Sequence, residues 1–332
     1  MSNDGFSPLF IVGSPRSGTT LLSRIISSHP EFSTYNAETL LLNVCKPKYG
    51  NIFRSGSCRN RFLGDWFRSR QFIESHLQQS RFIEVLNSSK NYTELLINFL
   101  EAISLSQNKN RIVDSTPSHY LYMNRIKRRC PTAKFINLIR DGRDVAISQV
   151  KLGWCSPPLR YSSTSAKLHY STVQWGEVLK VSERGHTSSD VLNLRYEDLV
   201  AHPTHYEKLI SEFLLLEPGK MNIAIMKDQD SSNTAFRSPL SSGEKTTERW
   251  KRLDSKLQAE MSYGVEEDLI RNGYEVYNPR FNLKLFLRYL TFKYHVHLKR
   301  CLIQLPLISR LSSGTLEIIE GQQWRQLQHT DE

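Results

Sequence analysis

The chain lacks paired cysteines: its five, Cys45, Cys58, Cys130, Cys155 and Cys301, include no Cys-x-x-Cys. An odd set without close pairs suggests neither a zinc site nor a disulfide framework, so reduced structural thiols and no metal are expected. Also missing is a basic stretch leading into an apolar one at the start, and the run Leu9-Phe10-Ile11-Val12 is far too short to cross a bilayer. A cytoplasmic protein with neither signal peptide nor transmembrane helix is the expectation. No internal repeat or long low-complexity tract is present, which excludes solenoids and fibrous arrays. Acidic residues are short, 33 Asp and Glu against 44 Lys and Arg among 332 residues, leaving a formal charge of +11. That surplus favours an anionic partner, whether phosphorylated cofactor, acidic acceptor, nucleic acid or membrane surface, without choosing among them. With 39% hydrophobic and 23% charged residues the composition is that of a globular protein.

What is present alternates. Pro8 to Val12 is apolar, a Gly/Ser/Pro/Arg turn runs from Gly13 to Gly18, and Leu21, Leu22, Ile25 and Ile26 then recur at helical spacing. His29-Pro30 ends that helix, because proline pushes the residue before it out of the α region. Arg111 to Asp114, Lys134 to Ile139 and Val191 to Leu194 repeat the strand signal, each ahead of loop residues and a helical pattern. The alternation predicts an α/β fold, a P-loop-like three-layer sandwich around a parallel sheet of about four to five strands. Gly13 to Thr20, Asp114 to Pro117, Arg140 to Ser148 and Arg195 to Asp198 fall at the carboxyl ends of strands, where such sheets collect ligands.

Residues 38–107 are helical in pattern, with clusters such as Arg61-Phe62 and Trp66-Phe67-Arg68, and are expected to form an insertion lining an acceptor pocket. Leu257, Met261, Val265 and Leu269 predict one helix, closed by Gly273 as a left-handed cap. The main domain is expected over residues 1–275, with 276–332 a basic helical extension packed on it. From Phe281 to Cys301 there are five Lys and Arg and no acid, with Lys284, Arg288, Thr291, His295 and Lys299 on one stripe. Two readings follow, a terminal helix packed on the body or a basic amphipathic helix, within 281–301, touching an anionic membrane or acceptor.

Gly13-Ser14-Pro15-Arg16-Ser17-Gly18-Thr19-Thr20 follows a strand and opens a helix, so its backbone N–H groups and the helix N-terminus make an anion cradle. Thr19 stands where a nucleoside triphosphatase carries the lysine that reaches the β- and γ-phosphates. Its absence speaks against ATP or GTP, and Arg16 supplies a cation suited to a shorter anion. The stretch Phe10 to Leu22, with His29-Pro30 downstream, resembles the 5′-phosphosulfate loop of sulfotransferases that use 3′-phosphoadenosine 5′-phosphosulfate (PAPS). It is most similar to the tyrosylprotein and carbohydrate branch, which carries arginine in this loop. Ala133 to Ser148 resembles the family's 3′-phosphate site, an arginine at a strand end and a serine on the next helix, here Arg140 and Ser148. Leu194-Arg195-Tyr196-Glu197-Asp198-Leu199 resembles the R-Y-E-D-L element, whose tyrosine lies near the adenine nucleotide. Glu248-Arg249-Trp250-Lys251 resembles the closing segment, where a basic loop covers the cofactor.

The resemblance implies that Pro15, Arg16, Ser17, Gly18, Thr19, Thr20, Arg140, Ser148, Tyr196, Lys245 and Arg249 bind PAPS, without a metal. For Tyr196 a plain core position, and for Lys245 and Arg249 solvated charge, are the competing readings. It also implies transfer of a sulfuryl group to an acceptor hydroxyl on a glycan, lipid, small molecule or tyrosine, with nucleic acid not expected as a partner. Arg16 is the cationic clamp. Glu38, in Asn36-Ala37-Glu38-Thr39, matches the branch's base, and His119 is its rival. Many relatives have a lysine in a D/E-K-[ST]-P element, whereas Asp114-Ser115-Thr116-Pro117 has serine there. Either Arg16 or another basic loop then compensates, or the acceptor differs, or activity is lower. A PAP- or polyanion-binding module without activity and a nucleotide kinase of the same loop class are the alternative functions.

Overall fold

A computed structural model describes residues 5–183, 189–226, 246–276 and 281–303. Five strands, β1 (Ser7–Gly13), β2 (Phe32–Ser33), β3 (Arg111–Asp114), β4 (Lys134–Ile139) and β5 (Val191–Arg195), form one sheet in the order β2-β3-β1-β4-β5. Every neighbouring pair is parallel, with Leu9 beside Val113 and Lys134, and Ile136 beside Leu192. The α/β, P-loop-like architecture expected from the alternation is therefore present. The strand the sequence pattern does not reveal is β2, whose two residues are too few to carry a period.

Side chains alternate across the sheet as a pleat demands. Phe10, Val12, Ile112 and Phe135 join the aromatic-rich helices on one face, while Leu9, Ile11, Val113, Ile136 and Leu138 join α1 (Thr19–Ser27) and the later helix Pro203–Leu214 on the other. On the first face, a π-turn at Leu41–Cys45 leads into α2 (Lys46–Tyr49), α3 (Gly56–Trp66), α4 (Arg70–Ile73), α5 (Gln79–Ser88) and α6 (Tyr92–Ser106). Trp66 holds them together, its ring 5.4 Å from Phe62, 5.4 Å from Phe82 and 5.5 Å from Phe99. Each of these fully buried rings contributes on the order of 2–3 kcal/mol through burial alone.

The chain continues through α7 (Met123–Arg129), α8 (Gly142–Lys151), α9 (Thr164–Ser182), α10 (Tyr196–Ala201), α11 (Pro203–Leu214), α12 (Ser255–Ser262), α13 (Glu266–Arg271) and α14 (Leu283–Ile303). The single helix expected through Leu257 and Leu269 is instead two, α12 and α13, broken at Gly264. Gly264 has φ +82°, and a Cβ there would fall 2.4 Å from the Tyr289 ring of α14, so the break lets α14 approach. Gly273 (φ +74°) closes α13 as expected: its N–H donates to Ile270 O and that of Tyr274 to Leu269 O.

The basic stripe of α14 turns inward. Arg288 donates Nε to His169 Nδ1 at 2.9 Å and pairs with Glu260 at 2.9 Å, His295 hydrogen-bonds the Tyr170 hydroxyl, and Lys299 donates to Ser156 O. Phe292 is fully buried between Tyr161, His169 and Tyr170. Of that stripe Lys284 is exposed. Among the described residues no helix is long and apolar enough to cross a membrane.

Accepting from Arg288 on Nδ1 leaves the His169 proton on Nε2, which donates to Tyr263 O. Burial first, and then the Arg288 charge, push its pKa from 6.5 down to about 3. Below pH 6.5 the unfolded chain takes up a proton that folded His169 refuses, so this contribution to stability is present above that pH and is lost as pH falls towards 3. Thermal unfolding followed across that window should show a declining Tm, and His169→Gln should flatten that part of the profile.

Candidate active site

The strand order places β1 between β3 and β4, so the chain leaves β1 where successive connections diverge to opposite sides of the sheet. The turn after β1 is drawn tight against β4 and α10. Gly13 (φ +147°) leaves no room for a Cβ, which would stand 2.5 Å from Leu138 O, and one on Gly18 (φ +100°) would stand 2.6 Å from the Tyr196 ring. Ser17 N donates back to Ser14 O, and Leu22 N to Gly18 O, which starts α1 directly from the turn. Arg16 takes φ +77°, a left-handed conformation uncommon for a side chain with a Cβ and costing about 1 kcal/mol or more.

The second block, at the end of β4, touches the first. Arg140 Nη1 donates to Arg16 O at 3.2 Å, Arg16 Nε donates to Ser148 Oγ at 3.1 Å, and Gln149 Nε2 donates to Pro15 O at 3.0 Å. The Arg140 guanidinium lies 4.4 Å from the centre of the Tyr196 ring, and Trp175 Nε1 donates to Arg140 O. Tyr196 thus presses on both Gly18 and Arg140, and its hydroxyl shares a hydrogen bond with Thr246 Oγ1. Arg140 Nη2 donates to Thr246 O and Arg249 to Asp144 O, which ties the closing segment over α8. Ser17 and Thr19 are buried, Thr20 is exposed on the first turn of α1, and Lys245 lies outside the described residues.

Arg140-Asp141-Gly142-Arg143-Asp144 is almost wholly buried rather than a solvated helix start. Asp141 caps α8, accepting from Arg143 N, and grips the Arg143 side chain through both carboxylate oxygens at 2.9 and 2.7 Å. Arg143 in turn stacks 3.4 Å from the Trp250 ring, while the buried Asp144 accepts from Trp250 N. Burial raises the Asp144 carboxyl pKa from its ordinary value.

Glu38 lies half-buried beside Arg16, close enough for its charge to act on that guanidinium. Its neighbour Thr39 is clamped to the end of β3: Thr39 Oγ1 donates to Asp114 Oδ2 at 2.6 Å, and Thr39 N to Thr116 Oγ1 at 2.9 Å. Asp114 Oδ1 also accepts from Thr116 N and Oγ1, closing the strand-end turn. His119 sits deeper, fully buried edge-on to Phe10 with Nδ1 3.4 Å from Asp114 Oδ2. Burial lowers its pKa. Leu40, next in sequence to Thr39, has φ +53°, a second departure for a residue with a Cβ at the rim.

The arrangement suits a ligand with anionic groups at two places. Burial, and then the nearby Arg140 charge, lower the Arg16 pKa, so two guanidinium groups stand close with Glu38 the counter-charge acting on Arg16. Ser14 Oγ, Ser17 Oγ and Arg140 Nε are buried and have no hydrogen-bond partner among the described residues. Buried donors and crowded cations of this kind are what phosphate and sulfate oxygens satisfy. The residues present therefore suit a ligand that carries two anionic groups, one at the Gly13–Gly18 turn and one beside Arg140 and Ser148. A family model described as "Sulfotransferase family" matches residues 8–217. The chain belongs to the sulfotransferase family. A protein of Caenorhabditis briggsae named as a protein-tyrosine sulfotransferase is 25% identical over 211 residues, 63% of this chain and 65% of that one. Protein-tyrosine sulfotransferase A of Caenorhabditis elegans is 26% identical over 225 residues, 64% and 52% of the two chains. The chain thus matches less than two thirds of the length of these relatives. The solved sulfotransferase domain of the Synechococcus PCC 7002 olefin synthase aligns over 87% of this chain and 96% of its own, with 17% identity and a TM-score of 0.46.

Gln149, Trp154, over whose ring the Arg16 guanidinium lies at 5.4 Å, and Trp175 brace the two arginine-bearing turns but carry no motif signal. In the sequence Gln149 stands out only as the neighbour of Ser148. Because Asp114 accepts three hydrogen bonds while fully buried, Asp114→Ala should cost about 2–4 kcal/mol by leaving Thr39 and Thr116 donors unpaired. Chemical denaturation reads that loss as a lower midpoint at unchanged slope.

Proposed function

We propose that this chain transfers a sulfuryl group from PAPS to an acceptor hydroxyl. The observation that carries the reading is the direct meeting of the two anion-binding blocks, Arg140 on the Arg16 carbonyl and Arg16 on Ser148. When bound, PAPS supplies an electrophilic sulfur attached to a phosphate leaving group. The Gly13–Gly18 turn holds that end through backbone N–H groups and the α1 N-terminus. Arg140 and Ser148 hold the 3′-phosphate, Tyr196 fixes the Arg140 guanidinium and borders the adenine, and Arg249, with Lys245 in the same segment, covers the nucleotide.

Glu38 takes the proton as the acceptor oxygen forms its bond to sulfur and the sulfur–oxygen bond to phosphate breaks. Arg16, permanently cationic and offering a planar fork of donors, offsets charge gathering on the departing oxygen. It thereby supplies the charge that relatives with lysine at the Ser115 position place there. Glu38 rather than His119 is assigned as base because it stands beside Arg16 with part of its surface exposed, whereas His119 has none.

Incubation with radiolabelled PAPS and a panel of phenols, glycans, lipids and tyrosine peptides tests the reaction. Label should move to at least one acceptor class, and Glu38→Gln should abolish transfer, by about 100-fold or more, while PAP still binds. Binding with no transfer to any acceptor would instead establish a silent PAP-binding module. Arg140→Ala and Ser148→Ala should weaken PAP by about tenfold or more, yet hardly change adenosine 5′-phosphosulfate, which lacks the 3′-phosphate. Calorimetry that records equal losses for both ligands contradicts the assignment of that block.

A further inference from the structure

The outward face of α14 is largely apolar, with the exposed His297, hydrogen-bonded to Arg300, the polar side chain within it. Leu283, Leu287, Leu290, Tyr294 and Leu298 recur along it and are 61, 55, 43, 68 and 37% exposed, and Phe286 widens the stripe at 37%. At 100° per residue these six side chains cover roughly 120° of the helix circumference. A helix packed on a domain ordinarily turns such a stripe to the core. Here the core side is occupied by Phe292, Arg288, His295 and Lys299, so the stripe is left to the surroundings. Leu159, next in sequence to Arg160, whose guanidinium hydrogen-bonds Thr291 of α14, is also wholly exposed.

Cations border the stripe on both sides. Lys284 follows one edge, Lys293 and Arg300 the other, and no Asp or Glu occurs anywhere in 281–303. We propose that this face of α14 docks on the surface of an anionic lipid bilayer. The leucines enter the boundary between headgroups and acyl chains, and Lys284, Lys293 and Arg300 reach the lipid phosphates. Charge selects this occupant. Symmetric pairing with a second copy would set cationic borders against each other in a chain of formal charge +11, with no carboxylate on the helix to offset them. An uncharged bilayer would accept the leucines but leave both borders without counter-charge. Such docking needs neither PAPS nor an acceptor and is independent of the proposed reaction.

Sedimentation of the full chain with vesicles tests the proposal. The protein should bind phosphatidylcholine vesicles containing phosphatidylserine, bind phosphatidylcholine alone far less, and release as salt rises. Leu287→Gln together with Leu290→Gln should weaken binding by about tenfold or more. Lys284→Glu with Lys293→Glu should weaken binding to the anionic vesicles by about tenfold or more, with little change on neutral ones. Both double variants should keep the wild-type Tm, since all four side chains are exposed. No wild-type binding to either vesicle overturns the proposal. So does a dimer in sedimentation velocity that Leu287→Gln and Leu290→Gln dissociate, which assigns the face to a second copy. A clear fall in Tm for the same pair also overturns it, because the stripe is then covered by the chain's own residues.

Discussion

Two like charges are held side by side at the head of the sheet, and most of the surrounding structure keeps them there. Unaided, the Arg16 and Arg140 guanidinium groups would move apart, since nearby like charges repel and burial removes the water that would screen them. Arg140 is pinned by the Tyr196 ring, by the Arg16 and Thr246 carbonyls and, through its own carbonyl, by Trp175. Arg16 is pinned by a strained backbone and by Ser148. The sheet register places both anchors, because β1 and β4 are adjacent and Gly13 pairs with Leu138, leaving the two turns to begin within a few residues of each other. A site built in this way has its positive field assembled before any anion arrives, so little reorganisation is needed on binding.

A second layer supports the first. Asp141 and Arg143 form a closed pair beneath Trp250, which keeps the start of α8 from fraying, and Glu197 accepts from Asp141 N while receiving the Tyr274 hydroxyl. Carboxylates therefore cap and brace the α8 turn. They leave the anion-facing part of the rim to arginine, serine and backbone N–H groups. Burying these charged groups costs hydration, and the partner that each has at hydrogen-bond distance offsets part of that cost.

Much of this was legible in the chain because it is local. A strand period, a glycine turn and a helical period can each be read within a dozen residues, and the four longer strands and both blocks follow from that. What escaped is what depends on contact across space. Gly264 breaks α12 from α13 because Tyr289 packs over it, and nothing within its own segment announces that contact. Periodicity finds the basic stripe of α14 but not which way it turns, and His169 with Glu260 draws it inward. The position of His119 near a strand end is visible, whereas its burial behind Asp114 is decided by ring packing against Phe10. Trp154 and Trp175 reach the site from elements whose own sequences look like ordinary core and loop.

The link from Thr39 to Asp114 separates two kinds of change. It fastens the segment carrying Glu38 to the end of β3, upstream of the aromatic helices that follow. Replacements within those helices can then accumulate while Glu38, fixed through its neighbour Thr39, keeps its place against the sheet. On the proposed reaction, the base and the helical insertion then sit on separately anchored stretches of one polypeptide, so the insertion is free to diverge without displacing the base.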